Sequence, residues 1–258
     1  MIDPRIRARR IEVARHEGRR RLRRAGLAAA ALGVVAMLWG LALSPLLDVD
    51  ALEVKGARQT GADEVRAASD ISPGEAMVTL DTARAAARVR ALPWVADARV
   101  MRDWPGTVRV EVVERRAVAA LAGESDWMLI DAEGHQLARV ADVPRGITRI
   151  EGVGVAGEVG DLLGAPAAGA LRVASMLSGA LRPDVLAVVA DDEGALTAKV
   201  AIAGGERSAL ALLGPPEALE AKLLALEAVL AGANLEGVAT IDVRVPTSPA
   251  LTRTTEGG

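Results

Sequence analysis

The chain has 258 residues, of which 51% are hydrophobic, yet only four are Trp and none is Phe or Tyr, so its cores must be built from small aliphatic side chains. It has no Cys, which excludes a disulfide framework and any thiolate metal site. The net charge of −3 conceals two opposed parts: residues 1–24 carry ten Arg against three acids, a net +7, while the remainder carries 21 Lys plus Arg against 31 Asp plus Glu, a net −10.

A short basic tail on a large acidic body marks a tail with a neighbour of its own, nucleic acid or an anionic membrane surface. The following run favours the membrane. Residues 25–47 are uncharged, AGLAAAALGVVAMLWGLALSPLL. As a helix they would reach roughly 35 Å, against a hydrocarbon core of roughly 30 Å. Trp39 stands late in the run, suited to a headgroup boundary, and the Arg cluster at the other end places residues 1–24 in the cytoplasm. A cleavable leader has a shorter apolar core, and Pro45 would follow the cut at Ala42-Leu43-Ser44, so an uncleaved anchor is the better reading. Adjacent arginines in a tail with ten Arg are a weak basis for a twin-arginine export signal. The tail reads as a topology determinant, with no nucleic acid required.

Beyond the anchor, residues 48–56 suit a strand ending on Gly56, and Thr60 with Asp63 opens a helix through EVRAAS. Asp81 caps a second helix, which Pro93 ends near Ala91. Residues 96–100 and 107–113 are two strands, the second alternating Val108, Val110 and Val112 with Arg109 and Glu111, around the turn Asp103-Trp104-Pro105-Gly106. The order over residues 48–113 is therefore β-α-α-β-β. A hairpin follows at 127–130 and 135–140, and then a helix over 166–178. Strands are expected at 185–189, 196–202 and 208–213, and a helix starting near Pro216 carries Leu219, Leu223, Leu226 and Leu230 on one face. Residues 238–245 form the last clear strand, and residues 247–258 a polar tail.

Catalytic chemistry is sparse. His16 lies in the tail and His135 beside a turn, so they cannot share one metal site across a membrane, and His135 reads as a turn residue. Residues 152–157 spell G-x-G-x-x-G, but the GEVGDLLGAP that follows is poor helix material, so the motif reads as a flexible joint. The Asp191-Asp192 pair reads as a solvated turn. No cofactor, metal or small-molecule substrate is implied, and the chain does not read as an enzyme.

The stretch Leu92–Ala119 resembles the signature of the FtsQ (DivIB) family of bitopic bacterial cell-division proteins. The matching residues are Leu92, Pro93, Trp94, Val95, Ala98, Val100, Arg102, Trp104, Pro105, Thr107, Val108, Val110, Val112, Glu114, Arg115, Val118 and Ala119. Ala117 departs from the proline usual in that family. WMLIDAEGHQLAR and residues 241–246 resemble its later elements.

The resemblance implies an α+β protein: basic tail 1–24, transmembrane helix 25–47, POTRA domain 48–119, a mixed α/β "β domain" 120–246 with a largely antiparallel sheet, and tail 247–258. It also implies a non-catalytic scaffold at the septum. Such a protein would sit in the cell membrane with its C-terminal domains outside and bind FtsB- and FtsL-like bitopic proteins by edge-strand pairing. The positions expected at that contact are Arg244, Val245, Thr247, Ala250, Leu251 and Arg253, while Ile241 and Val243 read as core. Trp94 is expected to hold the second helix against the sheet, and Trp104 to mark the hairpin tip. POTRA modules also serve polypeptide transport and chaperoning, but those machines carry tandem repeats and a barrel. An anchored envelope enzyme lacks its catalytic constellation here.

Overall fold

The computed structural model describes residues 26–37, 39–40, 47–202 and 205–253. Residues 26–37 and 39–40 are helical and exposed along their length, including Leu27, Leu32, Met37 and Trp39. The basic tail and the rest of the run expected to span a membrane lie outside the described residues. Among the described residues no helix is long and apolar enough to cross a membrane.

The chain folds as two compact units. One takes the residues through Lys55, Ala62–Ala87 and Arg99–Glu111; the other takes Gly56–Gly61, Arg88–Ala98 and the chain from Val112 onward. The β-α-α-β-β order is present as β1 (Ala51–Lys55), α1 (Ala62–Ser69), α2 (Thr82–Arg90), β2 (Val95–Asp103) and β3 (Thr107–Glu114). Asp81 Oδ1 accepts the Arg84 amide at 3.0 Å, the side-chain cap its position predicts. β3 lies between β1 and β2 and runs parallel to β1, Ala51 opposite Thr107 and Lys55 opposite Glu111. The first unit's core is small: Val49, Ile71, Met77, Leu80, Ala85 and Val108, with Leu52 and Val100 packed on it. Arg102 reaches from β2 to the Leu80 carbonyl, fixing the chain that enters α2.

The second unit is organised by a nine-stranded sheet, β12-β11-β10-β9-β8-β7-β4-β5-β6. Its strands are β4 (Ala117–Ala122), β5 (Trp127–Asp131), β6 (Gln136–Val140), β7 (Thr148–Glu151), β8 (Val185–Ala190), β9 (Leu196–Ile202), β10 (Arg207–Gly214), β11 (Val238–Asp242) and β12 (Ala250–Arg253). Most neighbours are antiparallel; β4-β7, β7-β8 and β10-β11 are parallel. Helices α3 (Ala168–Met176) and α4 (Leu219–Gly232) supply Ala170, Leu171, Val173, Leu219, Leu223 and Leu226 to one core. Leu196, Ala198, Val200 and Ile202 of β9 point into it, so period-2 alternation turns Thr197, Lys199 and Ala201 to the opposite face.

On that opposite face a second cluster forms from Ala120, Leu129 and Leu137, with Trp94, Trp127 and Ile147 packed against it. Trp94 thus packs on this cluster of the large sheet. The sheet offers a broad apolar floor that an indole fills.

Three further differences have local causes. β4 escapes period-2 reading because it is an interior strand between β7 and β5, and Ala119, Ala120 and Leu121 are buried in succession. The last helix begins at Leu219 after a left-handed Ala218, and buried Lys222 donates Nζ to the Pro215 carbonyl at 2.7 Å. β11 stops at Asp242, and residues 250–253 of the expected polar tail return as β12, pairing Ile241 with Leu251.

The G-x-G-x-x-G segment is a loop, as its composition predicts. Gly152 has φ +80°, and a Cβ there would stand 2.1 Å from the Ala190 carbonyl oxygen. Gly152→Ala should therefore cost roughly 2 kcal/mol or more. That corresponds to a loss of about 4–8 °C in Tm, measured by thermal unfolding, with Gly154→Ala, which meets open space, as the sterically unhindered comparison.

Candidate protein-interaction site

The signature residues divide by what they touch. The Trp94 carbonyl accepts the Arg115 amide at 2.7 Å, closing the chain between the start of β2 and the end of β3. Pro93 sits half-buried in the turn before Trp94. Trp104 is 54% exposed at the hairpin tip, where Trp104-Pro105 is a cis peptide, and Pro105 is exposed beside it. Glu114 accepts the amides of Arg58, Gln59 and Thr60 at 2.9, 2.8 and 2.9 Å. Burial raises its carboxyl pKa, but the amide bonds from Thr60, Gln59 and Arg58 outweigh it and hold the group below the usual carboxylate range.

Arg115 meets Asp131, which is 1% exposed, through Nη1–Oδ2 at 2.8 Å. Asp131 Oδ1 also accepts the amides of Glu133 and His135, at 3.0 and 2.8 Å. His135 Nδ1 lies 2.9 Å from Arg115 Nη1 and 3.1 Å from Asp131 Oδ2. Burial raises the Asp131 pKa, yet the His135 amide, Arg115 and the nearby charge bring it below the ordinary value. His135 is therefore part of a half-buried network and more than the surface turn residue its sequence suggests. Asp131, Glu133 and His135 have ligand atoms within 4.8 Å of one another, the spacing of a metal cluster. The Arg115 guanidinium already stands where a cation would balance Asp131, so these residues fit an ion-pair network better than a metal.

The residues expected at a partner contact gather at the C-terminal edge of the sheet. Among the described residues β12 pairs with β11 alone, so its other side presents unpaired backbone groups. Ala250 and Arg253 are exposed on it, while Leu251 turns toward the core. Val245 is 59% exposed and Thr247 is exposed in the preceding turn. Arg244 is held by Asp242, Nη2–Oδ2 at 2.6 Å, and its stem covers Gly214. Arg253 donates to the Glu236 and Asn234 carbonyls at 3.3 Å each. Ile241 and Val243 are fully buried, as expected.

Residues 47–115 match the model of the FtsQ-type POTRA domain. The chain is 35% identical over 134 residues to the cell division protein FtsQ of Streptomyces bingchenggensis, covering 52% of this chain and 50% of that protein. It is 36% identical over 172 residues to FtsQ of Anaeromyxobacter sp. (strain K), covering 60% and 58%, and 36% identical over 118 residues to FtsQ of Mycobacteroides abscessus, covering 46% and 37%. The chain spans about half the length of the curated relatives it matches.

Replacing Glu114 by Gln should destabilise the protein by about 1–2 kcal/mol at pH 7, since a charged acceptor of three amides becomes neutral. The folded carboxyl sits below its unfolded value near 4.3, so its stabilisation is present above that value and lost as pH falls through the folded one. The gap between wild type and Glu114→Gln, read from denaturant midpoints, should accordingly close below about pH 4.

Proposed function

We propose that this chain, which carries an FtsQ-type POTRA domain, is a membrane-anchored, non-catalytic scaffold of the bacterial division machinery. The observation that carries the reading is the match over residues 47–115, with Trp94, Arg102, Glu114 and Arg115 each bonded within the fold. Anchoring is supported by the apolar helical stretch at residues 26–37 and 39–40, whose large side chains are exposed and would be stable beside lipid rather than water. The Arg-rich tail before it orients the chain with its N-terminus in the cytoplasm.

The recruiting surface is the β12 edge. A partner segment, FtsB- or FtsL-like, adds a strand beside Ala250–Arg253, with Val245 and Thr247 contacted at the turn and Leu251 held from behind by the core. Main-chain pairing supplies affinity there, and the exposed side chains supply selectivity. The scaffold so formed links earlier ring components to septal wall synthesis.

A fluorescent fusion should collect at the division site, and depletion should leave cells without completed septa. Uniform membrane distribution with normal septation would remove the division reading. For the edge itself, Val245→Asp with Ala250→Asp should lower capture of an FtsB-like partner at least tenfold while leaving Tm within a few degrees, because both side chains are solvent-facing. Undiminished capture would move the recruiting surface elsewhere.

A further inference from the structure

Pairing registers place residues of successive strands in a single line across the face opposite the main core. From β12 inward it runs Thr252, Thr240, Leu210, Lys199, Ala187 and Arg149, and then passes beneath the Trp94-capped cluster through Ala120 and Leu129. Where the line leaves that cluster, the surface is open and cationic. Arg149 and Lys199 flank the small Ala187, two strand spacings or roughly 10 Å apart. Arg149 lies 5.1 Å from the Trp127 ring centroid, which holds its guanidinium in place.

Two grooves adjoin here. One, of about 620 Å³, runs over Arg149, Leu186 and Lys199. The other, of about 700 Å³, runs past Arg115 and Arg116. Both are lined by Arg145, Ile147 and Arg182, so they are continuous. Six cations thus line one path, five besides Arg115, which is already paired with Asp131, on a body whose net charge after residue 24 is −10. The carboxylates lining it are Glu114, Glu133 and Glu151, and Glu114 is already taken up by three amides. Arg116, Arg145, Arg149 and Lys199 are exposed and, among the described residues, make no ion pair.

We propose that this path is a second docking surface, for an extended acidic polypeptide segment whose carboxylates alternate with apolar side chains. The charge selects an anion. The floor selects a peptide over a phosphate polymer: Val143, Ile147, Pro183 and the 41%-exposed Leu186 offer apolar contacts between the cations, which a sugar-phosphate or polyphosphate chain cannot use. Guanidinium groups at Arg145 and Arg182 provide the planar forks that carboxylates match. The surface is separate from the β12 edge and does not depend on the division reading.

The test uses the full chain in detergent and a fluorescein-labelled peptide of three Glu-Leu-Glu-Ser repeats, followed by anisotropy. Binding should be saturable and should weaken as salt rises. Arg145→Glu should weaken it at least fivefold, Arg145→Gln by less, and Arg207→Glu, an equal charge change at an exposed position outside the grooves, by less than twofold. Equal losses from Arg145→Glu and Arg207→Glu would reduce the effect to diffuse charge and overturn the proposal, as would absence of binding. Tighter competition by polyphosphate than by unlabelled peptide would replace the peptide with a phosphate polymer and overturn it too. None of these outcomes bears on septal localisation, so this proposal and the scaffold reading fail separately.

Discussion

A carboxylate removed from water must be answered by donors, and Asp131 is such a group. It sits at the end of β5 and draws together the Arg115 side chain, the amides of Glu133 and His135 and the His135 ring. Because Arg115 follows the last residue of β3, that single charge fixes where the chain leaves the hairpin and enters β4. β4 then lies between β5 and β7, and every later strand is placed outward from that pair. Removing the guanidinium while keeping the buried carboxylate would leave an uncompensated charge, a defect far larger than the loss of a surface pair.

Much of this was legible in the residues. Asp81 stood where a cap belongs and caps the helix; the Val108, Val110 and Val112 alternation is an actual strand with one buried face. The FtsQ-like signature was readable because its residues are bound to particular duties: Glu114 to three amides, Arg102 to a carbonyl, Arg115 to Asp131. What escaped has a physical pattern as well. A strand buried on both faces carries no alternation, which hid β4. A helix entry held by buried Lys222 on a carbonyl seven residues back matches none of the usual capping patterns.

The candidate surfaces were legible to different degrees. The C-terminal edge was foreseen as a region, but the strand that forms it was read as tail, because Ala250–Arg253 gains its pairing only from β11. The cationic path was not foreseen at all. Its members come from four separate segments, and only sheet register places Arg149 near Lys199. Charge counted along the chain shows an acidic body; charge counted on the folded surface shows a local inversion of sign.

The line of residues crossing the sheet has one more implication. Neighbouring strands are ordinarily rotated by about 20–25° about an axis that crosses the sheet, so the line across the strands keeps its course while the strands turn around it. A segment laid along β12 runs with the strands, whereas one in the groove follows Arg149, Ala187 and Lys199 across them, so the two would approach from nearly perpendicular directions. Two tethered ligands could be held at once without crowding, each raising the local concentration of the other. A single rigid slab of secondary structure would act as a corner bracket, setting the angle between the things it joins.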